Sequence, residues 1–319
     1  KILERVVFKH VFNYLRDTNF ISRHQSGFQP GDSTVNQLSY LYHVICEALD
    51  RKKDVHIVFC DVSKAFDRVW HKGLLYKLKK AGICGVLLEW FTNYLTDRYQ
   101  QVVIRGQKSE IGIIKAGVPQ GSVLGPLLFL IYMNDITNVT HCNLKLFADD
   151  TSLFIKFDNQ ETAEEALNAD LVNIQQWANQ WLVTFSPPKT KLLTCTFKKK
   201  DQANVTFNNT PIESIDNHKH LGLVLSHDLS WSMHIENIVK CVSPMIDVLK
   251  KLKYDLDRKS LETIYFSFIR PKIEYGCHIW DNCSRRDSET LENLQLDMAR
   301  IVTGARKGTS HELLYKETN

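Results

Sequence analysis

The sequence predicts an α+β fold in which an antiparallel sheet is backed by helices and followed by a helical C-terminal region. An apolar, β-branched run over residues 56–60 is typical of a buried strand. Strand-like alternation lies on both sides of the acidic pair Asp149 and Asp150. Apolar residues recur at helical spacing over 162–181, and the pattern is helical from Met233 onward. With 319 residues, 44% of them apolar, the chain can bury a large core and form two or more subdomains.

The remaining elements follow from the same patterns in chain order. An amphipathic helix is already under way at the first residue, and short strands run on as far as Val224. Gly304 is expected near the end of a C-terminal helix. Helices are predicted at 72–81, 86–96, 127–132, 162–181 and 291–302, and strands near 101–105, 111–115, 144–147 and 151–157.

The most informative feature is the pair Asp149-Asp150, directly after the apolar stretch 144–147. Strand side chains alternate between faces, so two adjacent acids in mid-strand would put one carboxylate into the core, where an unpaired charge is strongly disfavoured. The pair is therefore predicted at the tip of a tight hairpin with a compensating positive charge, for which a divalent metal ion is the usual choice. Taken alone, the pair fits an ordinary acidic surface turn at least as well.

A second acid, Asp61, closes the predicted strand 56–60. If the strands are neighbours in one sheet, Asp61 meets Asp149 and Asp150. Mg²⁺ prefers oxygen ligands and typically uses one or two carboxylates together with substrate phosphates. Two such ions, about 4 Å apart, clamp the attacking and leaving oxygens of an in-line phosphoryl displacement. The sequence thus predicts a site for two magnesium ions, with a helix N-cap or turn role for Asp61 left open.

Between these motifs, residues 117–126 read GVPQGSVLGP, and their glycines and prolines predict a loop of defined shape. Glycine allows another backbone or a ligand to approach closely. Gln120 presents a side-chain amide from this loop, so it is a candidate substrate contact. A plain structural turn remains the alternative.

These motifs, in this order and at these separations, resemble those of reverse transcriptases. Asp61 with Phe66, the GVPQGSVLGP loop and the FADD sequence at 147–150 carry the resemblance, and the fuller wording is most similar to non-LTR (LINE-type) retrotransposon enzymes of the jockey and CR1 kind. The resemblance extends over nearly the whole chain. It includes NFIS (19–22), QSGF (25–28), Trp181, KTK (189–191), HLGL (220–223), LSW (229–231) and IRPKIEYG (269–276).

The resemblance implies a right-hand polymerase architecture. Helical fingers would comprise 1–54 and 71–115, the palm 56–70 and 116–225, and a helical thumb-like region 226–319. The implied activity is that of an RNA-directed DNA polymerase, which adds dNTPs to a primer 3′-OH by two-metal phosphoryl transfer. The expected partners are an RNA template, a DNA primer, dNTPs and an upstream endonuclease domain of the same polyprotein.

The resemblance also implies a role for each motif residue. Asp61, Asp149 and Asp150 would be catalytic and would bind two Mg²⁺ ions, or Mn²⁺, together with the backbone carbonyl of Val62. Phe66 would be an aromatic steric gate that clashes with a ribose 2′-OH, although a core aromatic is the alternative for it. The last two assignments are that Gln120 would position the nucleotide or template base, and that Lys189 would act near the departing pyrophosphate unless it is a solvated turn lysine.

Two other functions stay open, namely a decayed retrotransposon copy that only binds RNA and a two-metal nuclease. A first residue of Lys1 inside a helical pattern predicts a fragment of a longer polyprotein that lacks an earlier fingers segment. The expected location is intracellular, in a cytoplasmic ribonucleoprotein and in the nucleus.

Composition agrees with these expectations. Lys and Arg total 40 against 36 Asp and Glu, a formal net charge of +4. Basic clusters at 51–53, 77–80, 198–200 and 250–253 are candidates for a phosphate track, although each is more simply a solvated face. The eight cysteines contain no CxxC pair, which predicts reduced intracellular thiols and no zinc site. No apolar stretch approaches the length of a membrane span.

Overall fold

The computed structural model describes residues 1–198 and 202–318, and the chain is α+β as predicted. It divides into two compact units, Lys1–Ile215 and a second that begins at Asp216. This division lies ten residues before the expected thumb boundary at 225/226, and the fingers, palm and thumb assignments stay a prediction. Lys199 and Lys200 of the predicted basic clusters lie outside the described residues.

The helices of the first unit are α1 (Ile2–Asp17), α2 (Thr34–Asp50), α3 (His71–Lys80), α4 (Gly85–Leu95), α5 (Leu124–Met133) and α6 (Gln160–Trp181). Its strands are β1 (Asp54–Cys60), β2 (Arg98–Gln100), β3 (Val103–Ile104), β4 (Gln107–Lys108), β5 (Gly112–Ile114), β6 (Asn143–Phe147), β7 (Asp150–Phe157), β8 (Lys191–Cys195), β9 (Thr206–Phe207), β10 (Thr210–Pro211) and β11 (Glu213–Ile215).

The main sheet has the strand order β11-β8-β1-β7-β6, with β1 in the centre. Six of the seven residues of β1 are buried, so both of its faces are covered. Helix α2 packs against β1 and β6, and α6 packs against β7. The sheet is antiparallel as predicted except for the edge pair β8–β11, which is parallel. Because the two strands are parallel, β11 begins at the same end of the sheet as β8. The short apolar runs in the sequence did not predict this connection.

Helix α5 is the central helix of the first unit's core. All its residues except Pro126 are buried. The hydroxyl of Tyr132 donates to the carbonyl of Trp181 and accepts from the N–H of Trp70 at 3.3 Å. These bonds tie the end of α6 and the start of α3 to the core helix. After α5, the chain continues as a 3₁₀ turn over Asn134–Asn138.

The predicted strands near 101–105 and 111–115 are correct in type but shorter than expected. They form two small exposed ladders, β2–β5 and β3–β4, rather than extending the main sheet. Most of their side chains are exposed to water.

One predicted basic cluster is corrected by the fold. Lys77 is 4% exposed, and its ammonium donates to the carbonyl of Tyr132 at 2.6 Å and to Asp135 at 2.5 Å. The ammonium also lies 3.9 Å from the centre of the Trp181 ring. Lys77 is therefore a core residue that cannot contact phosphates, because its helix turns it inward.

The second unit begins with the hairpin β12 (Asn217–His220) and β13 (Leu223–Ser226). Its helices are α7 (Ser232–Leu252), α8 (Arg258–Ile264), α9 (Arg270–Glu274), α10 (Cys277–Trp280), α11 (Arg285–Thr303) and α12 (His311–Thr318), with a π-helical turn at Tyr265–Ile269. Gly304 ends α11 in the left-handed region, as its position predicted. Tyr275 donates from its hydroxyl to the carbonyl of Leu221 at 2.7 Å, so the HLGL and IRPKIEYG sequences are in contact.

No helix within the described ranges is both long and apolar enough to cross a membrane.

Candidate active site

The two adjacent acids stand at the tip of the β6–β7 hairpin, as predicted. Phe147 pairs with Asp150, which leaves Ala148 and Asp149 as a two-residue loop. Ala148 is buried and has φ +57°, a left-handed conformation that is unfavourable for a residue with a Cβ. The loop therefore needs support from its surroundings to hold Asp149 in place.

Asp61 lies beside this tip because β1 and β7 are neighbouring strands. The last Cα pair in their register is Cys60 with Thr151, so the next position places Asp61 next to Asp150. The carbonyl of Asp61 accepts from the N–H of Ser186 at 2.8 Å. Two separate chain segments thus bring their acids to one end of the sheet.

Val62 continues the strand as an isolated antiparallel bridge to Phe185. On the side of Phe185, the carbonyl of Asp61 accepts from the N–H of Ser186, and the N–H of Ser63 donates to the carbonyl of Thr184 at 2.8 Å. Backbone groups alternate in direction along a strand, so the carbonyl of Val62 points to the opposite side, where β7 lies.

The three acids repel one another electrostatically. Burial, followed by the charges of Asp149 and Asp61, raises the pKa of the Asp150 carboxyl to about 6. Water reaches Asp150, but the protein around it removes enough hydration to disfavour the charged form. Burial and the charge of Asp61 also raise the pKa of Asp149. Such a cluster favours a cation.

The Asp61 carboxylate has one oxygen that suits a cation. Its Oδ2 atom is buried and has no hydrogen-bond partner among the residues that the structure describes, although the side chain as a whole is 40% exposed. The ammonium of Lys189 approaches this oxygen to 3.7 Å, too far for a hydrogen bond. A buried carboxylate oxygen without a donor suits a hard cation such as Mg²⁺.

The acids nevertheless are not drawn together into a ready metal centre. Across residues 1–198 and 202–318, no three His, Cys, Asp or Glu side chains are arranged so that they could hold a metal ion.

Phe66 lies near the acids and is half-buried. Its ring stacks on Phe129 of α5 at 4.3 Å between centroids and meets Phe28 edge-on at 6.0 Å. The carbonyl of Phe66 accepts from the N–H of Val118 at 2.9 Å. One face of the ring is thus packed against the core helix. The structure is compatible with both interpretations of Phe66, as a gate and as a core aromatic.

The Gln120 loop packs against the segment that follows Asp61. The N–H of Gly117 donates to the carbonyl of Val69 at 2.8 Å, and a Cβ at Gly117 would lie 2.8 Å from the carbonyl oxygen of Asp67. The Gln120 amide is exposed and donates to the Asp67 carboxylate at 2.7 Å. Gln120 is therefore near the site but is engaged by Asp67, a residue that sequence reasoning did not single out.

Sequence reasoning also missed the support of the hairpin tip. The side-chain oxygen of Gln25 accepts from the N–H of Ala148 at 3.0 Å. The QSGF sequence had been noted for its resemblance, with no role assigned to Gln25. The left-handed Ala148 is visible only in the structure, so no sequence signal pointed to its partner.

Comparison with known proteins places the chain in a family. Residues 1–225 match the model described as reverse transcriptase (RNA-dependent DNA polymerase). The chain is 30% identical over 316 aligned residues to the RNA-directed DNA polymerase from mobile element jockey of Drosophila funebris, covering 96% of this chain and 34% of that protein. It is 30% identical over 339 aligned positions to the probable RNA-directed DNA polymerase from transposon BS of Drosophila melanogaster, covering 100% of this chain and 36% of that protein.

The chain thus spans about a third of the length of these curated relatives. Among solved structures, telomerase from Candida tropicalis in complex with a TWJ fragment of telomeric RNA is similar with a TM-score of 0.49 and 12% identity, covering 99% of this chain and 56% of that chain. That likeness is too distant to carry an inference. The matched region includes the hairpin tip and Asp61, and from it we conclude that this chain belongs to the reverse transcriptase family and is similar along nearly its whole length to the enzymes of jockey-type mobile elements.

Proposed function

We propose that this chain is the RNA-directed DNA polymerase region of a non-LTR (LINE-type) retrotransposon and adds dNTPs to a primer 3′-OH. The observation that carries the proposal is the meeting of Asp61 with Asp149 and Asp150 at one end of the sheet, inside the region that matches the family. Paired acids on two neighbouring strands are what phosphoryl transfer needs, because its catalysis is almost entirely positioning and charge stabilisation.

In this proposal the three acids and the Val62 carbonyl hold two Mg²⁺ ions, with Mn²⁺ as a substitute. The buried, unpartnered Oδ2 of Asp61 and the raised pKa of Asp150 support the assignment. Bound Mg²⁺ would help to deprotonate the primer hydroxyl and neutralise charge on the departing pyrophosphate. The acids would move closer once their repulsion is relieved.

The neighbouring residues would shape the nucleotide site. The open edge of the Phe66 ring would exclude a ribose 2′-OH. Stacking on Phe129 would keep the Phe66 ring from moving aside. Gln120 would be held in orientation by Asp67 and would contact the nucleotide or template base. Lys189 would move from Asp61 to the departing pyrophosphate as a charge stabiliser.

The architecture would be a right hand with fingers at 1–54 and 71–115, palm at 56–70 and 116–225, and thumb from 226. Its partners would be an RNA template, a DNA primer and dNTPs. The jockey-type relatives are about three times as long, so an endonuclease domain of the same polyprotein is also part of the proposal. The proposed enzyme would act in a cytoplasmic ribonucleoprotein and in the nucleus.

Primer extension tests the proposal. The purified chain is supplied with poly(rA)/oligo(dT), dTTP and Mg²⁺, beside Asp149→Asn. A matched control is Asp158→Asn, an exposed acid that follows the far end of β7 and pairs with Lys53 on the surface. We expect extension by the wild type and the control and none by Asp149→Asn.

The alternatives predict different results from the same samples. A decayed copy would bind the RNA, and no variant of it would extend the primer. A two-metal nuclease would cleave the strand without any nucleotide, and it too would lose activity in Asp149→Asn. Either result would overturn the polymerase.

A further inference from the structure

We propose that Gln25 is a positioning residue that holds the catalytic hairpin tip in its working conformation. The inference rests on the proposed polymerase function and goes beyond it by assigning a role outside the acidic cluster. Gln25 belongs to the loop between α1 and α2, more than 120 residues away from the tip in sequence. It is 6% exposed and therefore acts from inside the protein.

The backbone of this loop extends the main sheet at its free edge. The N–H of Ser26 donates to the carbonyl of Leu146 at 2.9 Å, and the N–H of Leu146 donates to the carbonyl of His24 at 2.8 Å. Gln25 and Leu146 form an isolated parallel bridge. The outer side of β6, which would otherwise be an unpaired edge, is thereby fixed just before the tip.

The side chain of Gln25 then reaches the tip itself. Its Oε1 accepts from the N–H of Ala148 at 3.0 Å and from the N–H of Gly27 at 2.8 Å. Its Nε2 approaches the carbonyl of Ala148 at 3.4 Å. The two peptide groups that flank Ala148 are therefore both held by one amide, and the next residue is Asp149.

These hydrogen bonds with Gln25 hold a residue with a strained backbone conformation. Ala148 has φ +57°, which an L-residue adopts only when its surroundings enforce it. The relaxed alternative would rotate the following peptide and redirect the Asp149 side chain. Asp61 needs no such clamp, because it leaves β1, the central strand of the sheet.

Gly27 explains how the loop comes so close. A Cβ at this position would lie 2.2 Å from the nitrogen of Ala148 and 2.9 Å from the carbonyl carbon of Phe147, well inside any real contact. The glycine is required here for space rather than for its backbone angle. Gln25 and Gly27 together form a brace, and neither touches the reacting atoms.

The test compares Gln25→Met, which keeps the volume but has no acceptor, with Gln25→Asn, which is one methylene too short. The matched control is Gln37→Met, since Gln37 in α2 is 3% exposed and neither of its amide atoms has a hydrogen-bond partner within residues 1–198 and 202–318. Two properties are measured: hydrogen exchange of the peptides covering 144–152 and 54–60, and the kcat, dNTP KM and Mg²⁺ dependence of primer extension.

We expect both Gln25 variants to lose exchange protection at the tip while β1 stays protected. We expect kcat to fall by about 10- to 100-fold with a raised Mg²⁺ requirement and little change in dNTP KM, since small displacements of reacting groups cost up to about 100-fold. Gln37→Met should match the wild type in both measurements.

Three outcomes would contradict the positioning role of Gln25. The first is a tip that stays protected from exchange in both Gln25 variants, and the second is an unchanged kcat. The third is loss of protection across β1 as well, because Gln25 would then be a general requirement of the fold. If the wild type extends no primer, the proposed function fails, while the exchange measurement still decides whether Gln25 holds the tip.

Discussion

The Asp61 carboxylate and the Lys189 ammonium lie 3.7 Å apart, directly after the last residue of β1. Lys189 is 70% exposed, so it can swing away from the acid without disturbing the core. The lysine stands where a metal ion bound by Asp61 would neutralise the same charge. In the proposed mechanism the pair would compete with the metal, and an exposed cation would stand beside the proposed site of pyrophosphate departure.

Replacing Lys189 by Met should have two opposite effects. We expect the Mg²⁺ concentration for half-maximal primer extension to fall, because the competing ammonium is gone. We expect kcat to fall by about 100-fold or more, because removal of one donor that stabilises charge in the transition state typically costs about 100- to 1000-fold. Lys191→Met is the control, since Lys191 pairs with Glu213 instead. An unchanged kcat would leave Lys189 as a solvated turn residue.

Variants of Phe66 and Phe129 distinguish the two interpretations of Phe66, as a steric gate and as a core aromatic. Phe66→Ala should incorporate ribonucleotides that the wild type rejects, because the ring edge is lost. Phe129→Leu removes the stacking partner behind the gate and should lower thermal stability while discrimination persists. The measurement is the ratio of dTTP to UTP incorporation, together with the melting temperature. A Phe66→Ala enzyme that still rejects UTP contradicts the gate.

His56 predicts an acid sensitivity of the fold. It is fully buried in β1, stacks on Phe157 and has its Nδ1 2.9 Å from the Thr194 hydroxyl. Burial lowers the pKa of His56 from 6.5 to about 4, and the charges of Glu164 and Asp54 offset only part of this effect. Since the folded pKa is the lower one, the stability that His56 contributes is present above pH 6.5 and is lost as pH falls towards 4.

The expected loss is about 2–3 kcal/mol of unfolding free energy, because each unit of pKa shift corresponds to about 1.4 kcal/mol. Urea unfolding at pH 7 and pH 4 should show this loss in the wild type relative to His56→Phe, in which no group titrates at this position. Equal pH dependence in the two proteins would contradict the assignment.

Lys77 and Asp135 form an ion pair in which the lysine is buried and the carboxylate is 36% exposed, so the two partners should respond differently to removal. Burial lowers the pKa of Lys77 to about 8, against the opposing effect of Asp135. Asp135→Ala should destabilise the protein by about 2 kcal/mol, less than for a fully buried pair, because it leaves a buried cation and also deprives the Trp177 indole of its acceptor. Lys77→Met should cost less, since apolar replacement of buried ions is often nearly neutral. The double variant should be more stable than Asp135→Ala alone, as measured by chemical denaturation.

Local patterns carried much of the fold prediction. The β1 run, the hairpin around Asp149 and the long α6 are visible because strands and helices repeat apolar residues with different periods. Strands near 101–105 and 111–115 were predicted, but their pairing into two small ladders apart from the main sheet was not, and neither was the parallel edge strand β11. They depend on which distant segment covers each short strand, and a run of two or three residues does not contain that information.

The sequence by itself determined which residue types stand at the candidate site, namely acids at the ends of two strands and a glycine-rich loop between them. Only the tertiary structure decided that Gln120 is held by Asp67, that Lys77 is buried, and that Gln25 supports Ala148 from across the sheet edge. The physical reason is that periodicity reports which face of an element is buried. Hydrogen bonds between residues far apart in the chain depend instead on the complete packing that brings their backbones together.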